Sequence, residues 1–409
     1  MRRLLLPTLL LATCSHGAHL AEMLPPHARG GSLYRGLLAS HAEETATLKR
    51  TIGFLGNSSA NFKDTELDQL NPGSAGTFKQ RYFYDLTYCG TSCATAAIIT
   101  EFTGEWTAGG SPGGAAAELA QKLGALLVTV EHRFYGCSRP GGGCSPDSDA
   151  TLMTRYLSVE QAVADAGDFI AYFEAFSAGG FSPEAAAAAP KRLPEGYKAT
   201  RRWGIVGGSY AGAYVSWITV RHGDLLAGTW ASSGVVNAIF NFTSFDSTVS
   251  AAVGDDCSDA LREVMSVFEG AWVNDAQRAT MLELFHAPPG FHTAGDFAWM
   301  LADSAGMAPQ YGSKAALCKY LNSTARDTPS SPAPPDPGFY LRGWAALEAF
   351  AAWTNDHYGS GFGSSCYYST ACLALNDAGD LSDGTTWVWQ CCSELGAWVV
   401  GASAQGALL

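Results

Sequence analysis

The chain has 409 residues, of which 47% are hydrophobic and 15% charged, so it can bury a large core and is too apolar for a disordered protein. Its 25 basic and 38 acidic side chains give a formal charge of −13, which argues against nucleic acid as a partner. No stretch beyond the N-terminus is apolar for long enough to predict a membrane span.

The N-terminus has the pattern of a secretory signal peptide. Arg2 and Arg3 precede an apolar run from Leu4 to Ala12, and small residues follow up to position 17. The alternative is a buried or disordered N-terminal segment. A signal peptide over residues 1–17 predicts a protein that is secreted or delivered to the lysosome or vacuole.

The cysteine content agrees with export. Removing the signal with Cys14 takes the 11 cysteines to ten, an even number without zinc-type spacing, and we expect these to form disulfides. Cys137 with Cys144, and Cys366 with Cys372, are close enough in sequence for local bridges. Three glycosylation sequons begin at Asn57, Asn241 and Asn322.

Strand and helix patterns alternate over residues 77–231. Aromatic alternation predicts a strand at 77–87, and an unbroken aliphatic run predicts a buried strand at 125–130. Helical spacing predicts a helix at 158–176 that begins with a capping box of Ser158 and Gln161. The other predicted segments are a short apolar run at 96–100, a helix at 115–123, a loop at 177–200, a strand at 203–206, a helix at 210–221 and a strand at 226–231. This alternation predicts a parallel sheet with helices on both faces.

The alternation is lost over residues 240–390, which contain helical stretches and a Pro-rich linker at 328–338. We interpret this segment as a mostly helical cap. The predicted fold class is therefore α/β, with an α/β-hydrolase sheet at 18–239, the inserted helical cap, and a truncated return to the core at 391–409.

The segment WGIVGGSYAGAYVSW, residues 203–217, places a serine between a strand and a helix. In a nucleophile elbow such a serine lies on a tight, strained turn that requires small neighbours. Gly207 stands two residues before Ser209 and Ala211 two after it, so the pattern is G-x-S-x-A. The alternative is a Gly-rich turn without chemistry. The strand–turn–helix context favours the elbow, with Ser209 as the catalytic nucleophile at the carboxyl edge of the sheet.

The elbow also predicts an oxyanion hole. The backbone N–H of Tyr210 is expected to point at the oxyanion that forms when Ser209 Oγ attacks a carbonyl carbon, and the helix N-terminus favours negative charge there. A second N–H is expected from the loop TGEW at 103–106, with Gly104 or Glu105 as the donor. No cluster of histidine, cysteine and carboxylate residues has metal-ligand spacing, so no metal and no cofactor are expected.

Six motifs occur in an order that points to one family. They are QRY at 80–82, EHRFYG at 131–136, YLSVEQAVAD at 156–165, GGSYAG at 207–212, ASSGVV at 231–236 and WVWQCCSELG at 387–396. With these motifs the chain resembles the prolyl serine carboxypeptidase family. That family includes lysosomal Pro-X carboxypeptidase, the lysosomal peptidase that releases Xaa-Pro dipeptides, and thymus-specific serine protease. The resemblance implies a capped α/β-hydrolase that forms an acyl-enzyme on Ser209 and acts on proline-containing peptides.

Two groups of matched residues have both a structural and a functional interpretation. Glu131, His132 and Arg133 end a buried strand. We favour structural hydrogen bonds and ion pairs over a catalytic histidine, because buried charges persist only when they are paired. Trp387 and Trp389 are interpreted as core aromatics, with a pocket lining as the alternative.

The resemblance also implies a catalytic aspartate and histidine beyond the WVWQCCSELG segment. The 13 residues after Gly396 contain no Asp, Glu or His. Asp356 and His357 precede that segment and are not assigned to the triad. We therefore expect a truncated chain that lacks the last strands of the sheet, with poor activity and poor stability.

Three functions are open at this point. The first is a serine exopeptidase that cleaves prolyl bonds, as a carboxypeptidase or a dipeptidyl-peptidase. The second is another capped serine carboxypeptidase or an esterase, because GGSYAGAY also resembles the GESYAG type of elbow, although EHRFYG and YLSVEQA favour the prolyl family. The third is a catalytically dead secreted protein that binds peptides, which the missing relay favours. No sequence feature indicates an oligomeric state.

Overall fold

A computed structural model describes residues 60–141, 143–144, 150–239, 242–323, 343–370 and 383–396. The predicted signal peptide, the sequon asparagines at 57 and 241, and Cys372 with its expected bridge lie outside the described residues. Asn322 is exposed on a helix. Within the described part of the chain, every helix is too short or too polar to cross a bilayer.

Six strands form one mixed sheet: β1 Asn61–Glu66, β2 Thr77–Asp85, β3 Ile98–Phe102, β4 Leu126–Val130, β5 Trp203–Gly208 and β6 Gly228–Ser232. Their order across the sheet is β1-β2-β4-β3-β5-β6. β2 is antiparallel to both of its neighbours, whereas β4, β3, β5 and β6 are parallel to one another. An α/β-hydrolase sheet has this order, with one reversed strand and with β3 and β4 exchanged, so the predicted fold class is confirmed.

The strands that the sequence predicts best are the buried ones. β4, with the sequence LLVTV, is buried at every position, as its aliphatic content predicts. Next to it, β3 aligns with β5 so that Thr100 lies opposite Ile205. The apolar run predicted at 96–100 is the start of β3. β1 was not predicted, because its sequence NFKDTE is polar and, among the described strands, it pairs with β2 alone.

Five helices accompany the sheet: α1 Gly114–Leu123, α2 Ala150–Tyr156, α3 Val159–Ala178, α4 Pro183–Ala188 and α5 Tyr210–His222. α3 and α5 pack on one face of the sheet and α1 on the other. α4 lies inside the segment predicted as a loop, where Ser182 caps it by accepting a hydrogen bond from Ala185 N.

The core on the α3 face is aromatic. The ring centroids of Phe169 and Phe173, both on α3, lie 5.3 and 5.9 Å from the ring centroid of Tyr82 on β2. Burial of each such ring contributes about 2–3 kcal/mol, and edge-to-face geometry adds to it. These contacts fix α3 on the sheet.

The predicted capping box of α3 is half right. Ser158 Oγ accepts a hydrogen bond from Gln161 N at 3.2 Å. The Gln161 side chain, however, turns to the β1–β2 connection, where it accepts from Gln69 N at 2.6 Å and donates to Asp68 Oδ1 at 3.1 Å. These bonds to the β1–β2 connection replace the expected bond from the Gln161 side chain to the start of α3.

A separate helical unit follows β6 and has its own apolar core. Its helices are α6 Thr243–Val253, α7 Asp255–Trp272, α8 Asp275–Leu284, α9 Ala294–Gln310, α10 Lys314–Ser323 and α11 Trp344–Tyr358. After it, α12 Asp383–Gln390 and a π-helical turn, Cys391–Leu395, contact the sheet unit again. The cap boundaries at 240 and 390 stay predictions.

Three disulfides join Cys89 to Cys93, Cys137 to Cys144 and Cys257 to Cys318, so the predicted Cys137–Cys144 bridge is confirmed. Cys392 is also disulfide-bonded. Cys391 is a free thiol, and the expectation that all ten cysteines pair is wrong at this position. Consecutive side chains of a helix point in different directions, so two adjacent cysteines face different neighbours.

β6 forms an exposed edge. All of its residues are exposed, including Trp230. Val235, Val236 and Ile239, which follow the strand, are exposed as well. Within the described part of the chain β6 pairs with β5 alone.

Candidate active site

Ser209 lies on the sharp turn between β5 and α5. Its φ of 58° and ψ of −125° are strained for a residue with a side chain. Two hydrogen bonds hold the turn: Ser209 N donates to Ser232 O at 3.0 Å, and Ala213 N donates to Ser209 O at 3.1 Å. The first fixes the turn on β6 and the second begins the helix. Within the described residues no group hydrogen-bonds to Ser209 Oγ.

Three glycines allow the turn to close. A Cβ on Gly207 would lie 2.2 Å from Ala211 O, and one on Gly212 would lie 2.7 Å from Ser232 O. A Cβ on Gly234 would lie 2.9 Å from the carbonyl carbon of Gly212. These contacts are with backbone atoms, which cannot move without displacing α5. The small residues of the motif are therefore a steric requirement of the turn.

Two backbone segments that carry N–H groups meet beside the turn at Ser209. Tyr210 begins α5, and an N–H in the first turn of a helix has no intrahelical acceptor. Gly104 packs directly against this turn, because a Cβ on it would lie 3.2 Å from both Ala211 N and Tyr210 Cδ1. The structure thus brings the predicted site residues Ser209, Tyr210 and Gly104 to one place. Such N–H groups can stabilise negative charge on an oxygen.

Glu105, the other predicted donor, places a carboxyl group beside the same turn. Its Oε2 atom is buried and has no hydrogen-bond partner in the described part of the chain. Burial raises the pKa of Glu105 to about 7. This carboxyl group therefore keeps its proton to a higher pH than an exposed glutamate does.

The side chain of Tyr210 is anchored beneath the turn. Its Oη atom lies 3.0 Å from His132 Nε2 and accepts a hydrogen bond from Gln390 Nε2. The centroid of its ring lies 5.2 Å from that of Trp387. No role was predicted from the sequence for Gln390 or for its partner Tyr135. Both lie in matched motifs, EHRFYG and WVWQCCSELG, which were the available signal.

Glu131 has the structural role that was expected of it. Its carboxylate accepts hydrogen bonds from Arg81, from Ala108 N at 2.8 Å, from Cys137 N at 2.9 Å and from Ser138 Oγ at 2.8 Å. The carboxylate therefore organises the loop that follows β4.

His132 is not placed to act on Ser209. Its Nε2 atom faces Tyr210 Oη, and its Nδ1 atom lies 2.8 Å from Arg133 O. Burial lowers the pKa of His132 to about 4, so the ring is neutral at physiological pH.

The described residues do not supply a general base for Ser209. Their histidines are at positions 132, 222, 286, 292 and 357, and none hydrogen-bonds to Ser209 Oγ. His357 stacks on Trp353 in the helical unit with ring centroids 5.3 Å apart, and Asp356 accepts a hydrogen bond from Tyr320. Among the described residues no group of His, Cys, Asp and Glu has the geometry of a metal site.

A sequence profile described as Serine carboxypeptidase S28 matches residues 65–183 and 187–327, which together are more than half of the chain. The chain belongs to the S28 family. It is thus related to serine peptidases, and its elbow serine lies within the matched region.

Three relatives illustrate the S28 assignment. The chain is 33% identical to the probable serine protease EDA2 of Arabidopsis thaliana over 49% of this chain and 37% of the relative. It is 32% identical to the thymus-specific serine protease of Homo sapiens over 33% and 22%, respectively. It is 26% identical to the lysosomal Pro-X carboxypeptidase of Bos taurus over 63% and 47%. The chain thus spans less than half the length of these curated relatives.

One solved structure is also similar to part of this S28 chain. It is a brefeldin A esterase, a bacterial homologue of human hormone sensitive lipase, which aligns over 55% of each chain with 13% identity and a TM-score of 0.22. The fold assignment rests on the strand order of the sheet instead.

Proposed function

We propose that Ser209 is the nucleophile of an S28 serine peptidase and that its substrates are proline-containing peptides. The observation that carries this proposal is the strained turn at Ser209, which Tyr210 follows as the first residue of α5 and against which Gly104 packs. A conformation this costly persists only where the surrounding structure enforces it. Here three glycine contacts and two hydrogen bonds enforce it.

The proposed reaction is acyl transfer. Ser209 Oγ bonds to the carbonyl carbon of the substrate, and the π electrons of the carbonyl move to its oxygen, where the N–H groups of Tyr210 and the 104–105 loop stabilise the charge. The C–N bond then breaks, the leaving amine takes a proton, and water hydrolyses the acyl ester. The Oγ proton needs a base. Within the described residues no group hydrogen-bonds to Ser209 Oγ and could take this proton directly.

The preference for proline has two supports. The first is the similarity to lysosomal Pro-X carboxypeptidase, which extends over 63% of this chain. The second is the ring of Trp387, which is only partly buried and whose centroid lies 5.2 Å from that of Tyr210 at the start of α5. The face of a partly exposed aromatic ring suits a proline ring, which is rigid and apolar. We extend the proposal to location: a relative named as lysosomal and the N-terminal pattern support a secreted or lysosomal protein.

A fluorophosphonate probe tests the nucleophile. We expect a single saturable adduct that peptide mass spectrometry assigns to Ser209, and no adduct in Ser209→Ala. Ser216→Ala is the matched control, because Ser216 lies on the same helix and its hydroxyl bonds to Gly212 O at 2.8 Å. That variant should label as the unaltered chain does. A cooperatively folded protein without an adduct at Ser209 would contradict the proposal.

A second candidate is a peptide-binding protein without catalysis. It is favoured by the lack of a described histidine at Ser209 Oγ. Calorimetric binding of an Xaa-Pro peptide to protein that the probe does not label would support it. A third candidate, an esterase, predicts faster release of chromophore from simple acyl esters than from Xaa-Pro substrates.

A further inference from the structure

Four buried side chains form a continuous hydrogen-bond chain beneath the elbow. Tyr135 Oη donates to Gln390 Oε1 at 2.8 Å, and Gln390 Nε2 donates to Tyr210 Oη. Tyr210 Oη in turn lies 3.0 Å from His132 Nε2. All four side chains are buried, with exposed fractions of 1% or less. This series, from Tyr135 through Gln390 and Tyr210 to His132, is called the Tyr210 relay below.

Each bond of the Tyr210 relay has one possible direction. His132 Nδ1 lies 2.8 Å from Arg133 O, and a carbonyl oxygen only accepts, so Nδ1 carries the proton. Since burial keeps His132 neutral, its Nε2 is then an acceptor, and the Tyr210 hydroxyl must donate to it. The oxygen of that hydroxyl is free to accept from the Gln390 amide, whose own oxygen accepts from Tyr135. Each hydrogen bond of the relay therefore joins one donor to one acceptor, and all four groups are uncharged.

The ring of Tyr210 is held as firmly as its hydroxyl. It stacks on Tyr214 with an interplanar angle of 7°, and its centroid lies 5.2 Å from that of Trp387. A Cβ on Gly104 would lie 3.2 Å from Tyr210 Cδ1, so the second candidate donor segment rests on the same ring. The ring therefore sets the spacing between the two segments that provide the N–H groups.

We propose that Gln390 and His132 are positioning residues for the oxyanion hole, acting through the hydroxyl of Tyr210. The side chain and the backbone N–H of Tyr210 share one Cα atom, so fixing the ring at both ends fixes the direction of the N–H. A donor that is already oriented stabilises developing charge without reorganisation. This inference rests on the proposed role of Ser209 as a nucleophile.

The relay joins three parts of the chain. His132 and Tyr135 follow β4, Tyr210 starts α5, and Gln390 ends α12. Gln390 and Tyr210 are 180 residues apart. A purely structural tie between these parts would stabilise the fold without affecting the reactivity of Ser209. A positioning role predicts an effect on reactivity that exceeds the effect on stability.

The test compares two variants of the relay, Tyr210→Phe and Gln390→Met, which remove hydrogen bonds while nearly keeping side-chain shape. The readouts are the first-order rate and the apparent affinity of fluorophosphonate labelling at Ser209, together with the melting temperature. We expect each variant to lower the rate by about 10- to 100-fold with the apparent affinity unchanged. The double variant should be no slower than the slower single one, because both act on one hydroxyl.

Tyr172→Phe is the matched control. Its hydroxyl lies 3.1 Å from Tyr82 Oη, also in the core of the sheet unit but away from the elbow. This variant should lower the melting temperature about as much as Tyr210→Phe and leave labelling unchanged. Labelling of both relay variants at the unaltered rate, with lowered melting temperatures, would overturn the positioning role alone. Failure of the unaltered, folded chain to label would overturn the proposed nucleophile and this inference together.

Discussion

The guanidinium of Arg133 and the carboxylate of Asp165 form a two-pronged ion pair inside the protein, with Nε–Oδ2 and Nη2–Oδ1 both at 2.7 Å. Both side chains are almost fully buried. Arg133 Nη1 also donates to two carbonyl oxygens, of Leu67 and Tyr156, at 3.1 and 2.8 Å. The pair thus ties the strand end of β4 to α3, as the sequence analysis expected for Arg133.

Asp165→Asn should destabilise the protein by about 3–5 kcal/mol, because it leaves the Arg133 charge buried and uncompensated. Urea unfolding followed by circular dichroism measures this loss. Asp224→Asn is the control, since Lys198 and Asp224 form an exposed pair at 3.3 Å and such pairs contribute about 1 kcal/mol or less. Equal losses in the two variants would contradict the assigned role of the buried pair.

Gly207→Ala should prevent closure of the elbow. The added methyl group would lie 2.2 Å from Ala211 O, so either α5 moves or the strand bends. We expect a loss of more than about 3 kcal/mol in unfolding free energy and no probe labelling at Ser209. Gly228→Ala, also in a strand of the sheet but with no atom within 4 Å of the added carbon, should change stability by less than about 1 kcal/mol. Retention of labelling in Gly207→Ala would count against the steric argument.

The stability of the protein should depend on pH through the raised pKa of Glu105. Burial raises its pKa from 4.5 to about 7 in the folded protein, so the folded state binds the proton more tightly than the unfolded state. The stability that this carboxyl contributes is full below about pH 4.5 and is lost as the pH rises through 7. The free energy of unfolding of Glu105→Gln should therefore increase relative to that of the unaltered chain as the pH rises. The increase should be on the order of 3 kcal/mol between pH 4 and 8. Chemical denaturation at several pH values measures the difference, and a difference independent of pH would refute the assignment.

The contribution of Glu174 to stability should depend on pH in the opposite direction. Burial alone would raise its pKa, but hydrogen bonds from Thr200, Tyr197, Trp203 and Arg201 outweigh burial and lower it. The stability that it contributes is present above its ordinary pKa of 4.5 and is lost as the pH falls. Glu174→Gln should therefore be less stable than the unaltered chain at pH 7, and the deficit should shrink toward pH 4. Chemical denaturation at several pH values measures this variant as well. A loss of stability that increases toward acid pH would contradict the role of the hydrogen bonds.

The stability lost on removing a disulfide should increase with the length of the loop that the disulfide closes. Cys257 and Cys318 are 61 residues apart and join α7 to α10, so replacing both by serine should cost about 4 kcal/mol. Cys89 and Cys93 are four residues apart, and their replacement should cost about 2 kcal/mol. Thermal unfolding of the two double variants under identical conditions decides the order. A larger loss from the short loop would show that strain or local packing dominates.

Features set by near neighbours were predictable from the sequence. β4 is recognisable because a strand covered on both faces is apolar at every position. The turn at Ser209 is recognisable because its glycines are needed within a few residues of it. Cys137 and Cys144 pair across a short loop, and that bridge was predicted on spacing alone.

Features set by distant contacts were not predictable. β1 is polar, and its place depends on pairing with β2. Cys391 and Cys392 are adjacent, and which of them reaches a partner cysteine depends on how their helix is oriented in the fold. Cys391 is the one that stays free. The bond between Gln390 and Tyr210 spans 180 residues, and periodicity contains no information about such a contact. The role expected for Gln161 in a local cap was replaced by distant partners for the same reason.

The separation of Gln390 from Tyr210 also affects the order of events during synthesis. The ribosome adds 180 residues after Tyr210 before Gln390 is made, which takes about 10–40 s at ordinary elongation rates. During that interval the elbow segment has left the ribosome while the tyrosine hydroxyl lacks its amide donor. In nascent chains this contact is therefore expected to form late, after all six strands of the sheet have been made.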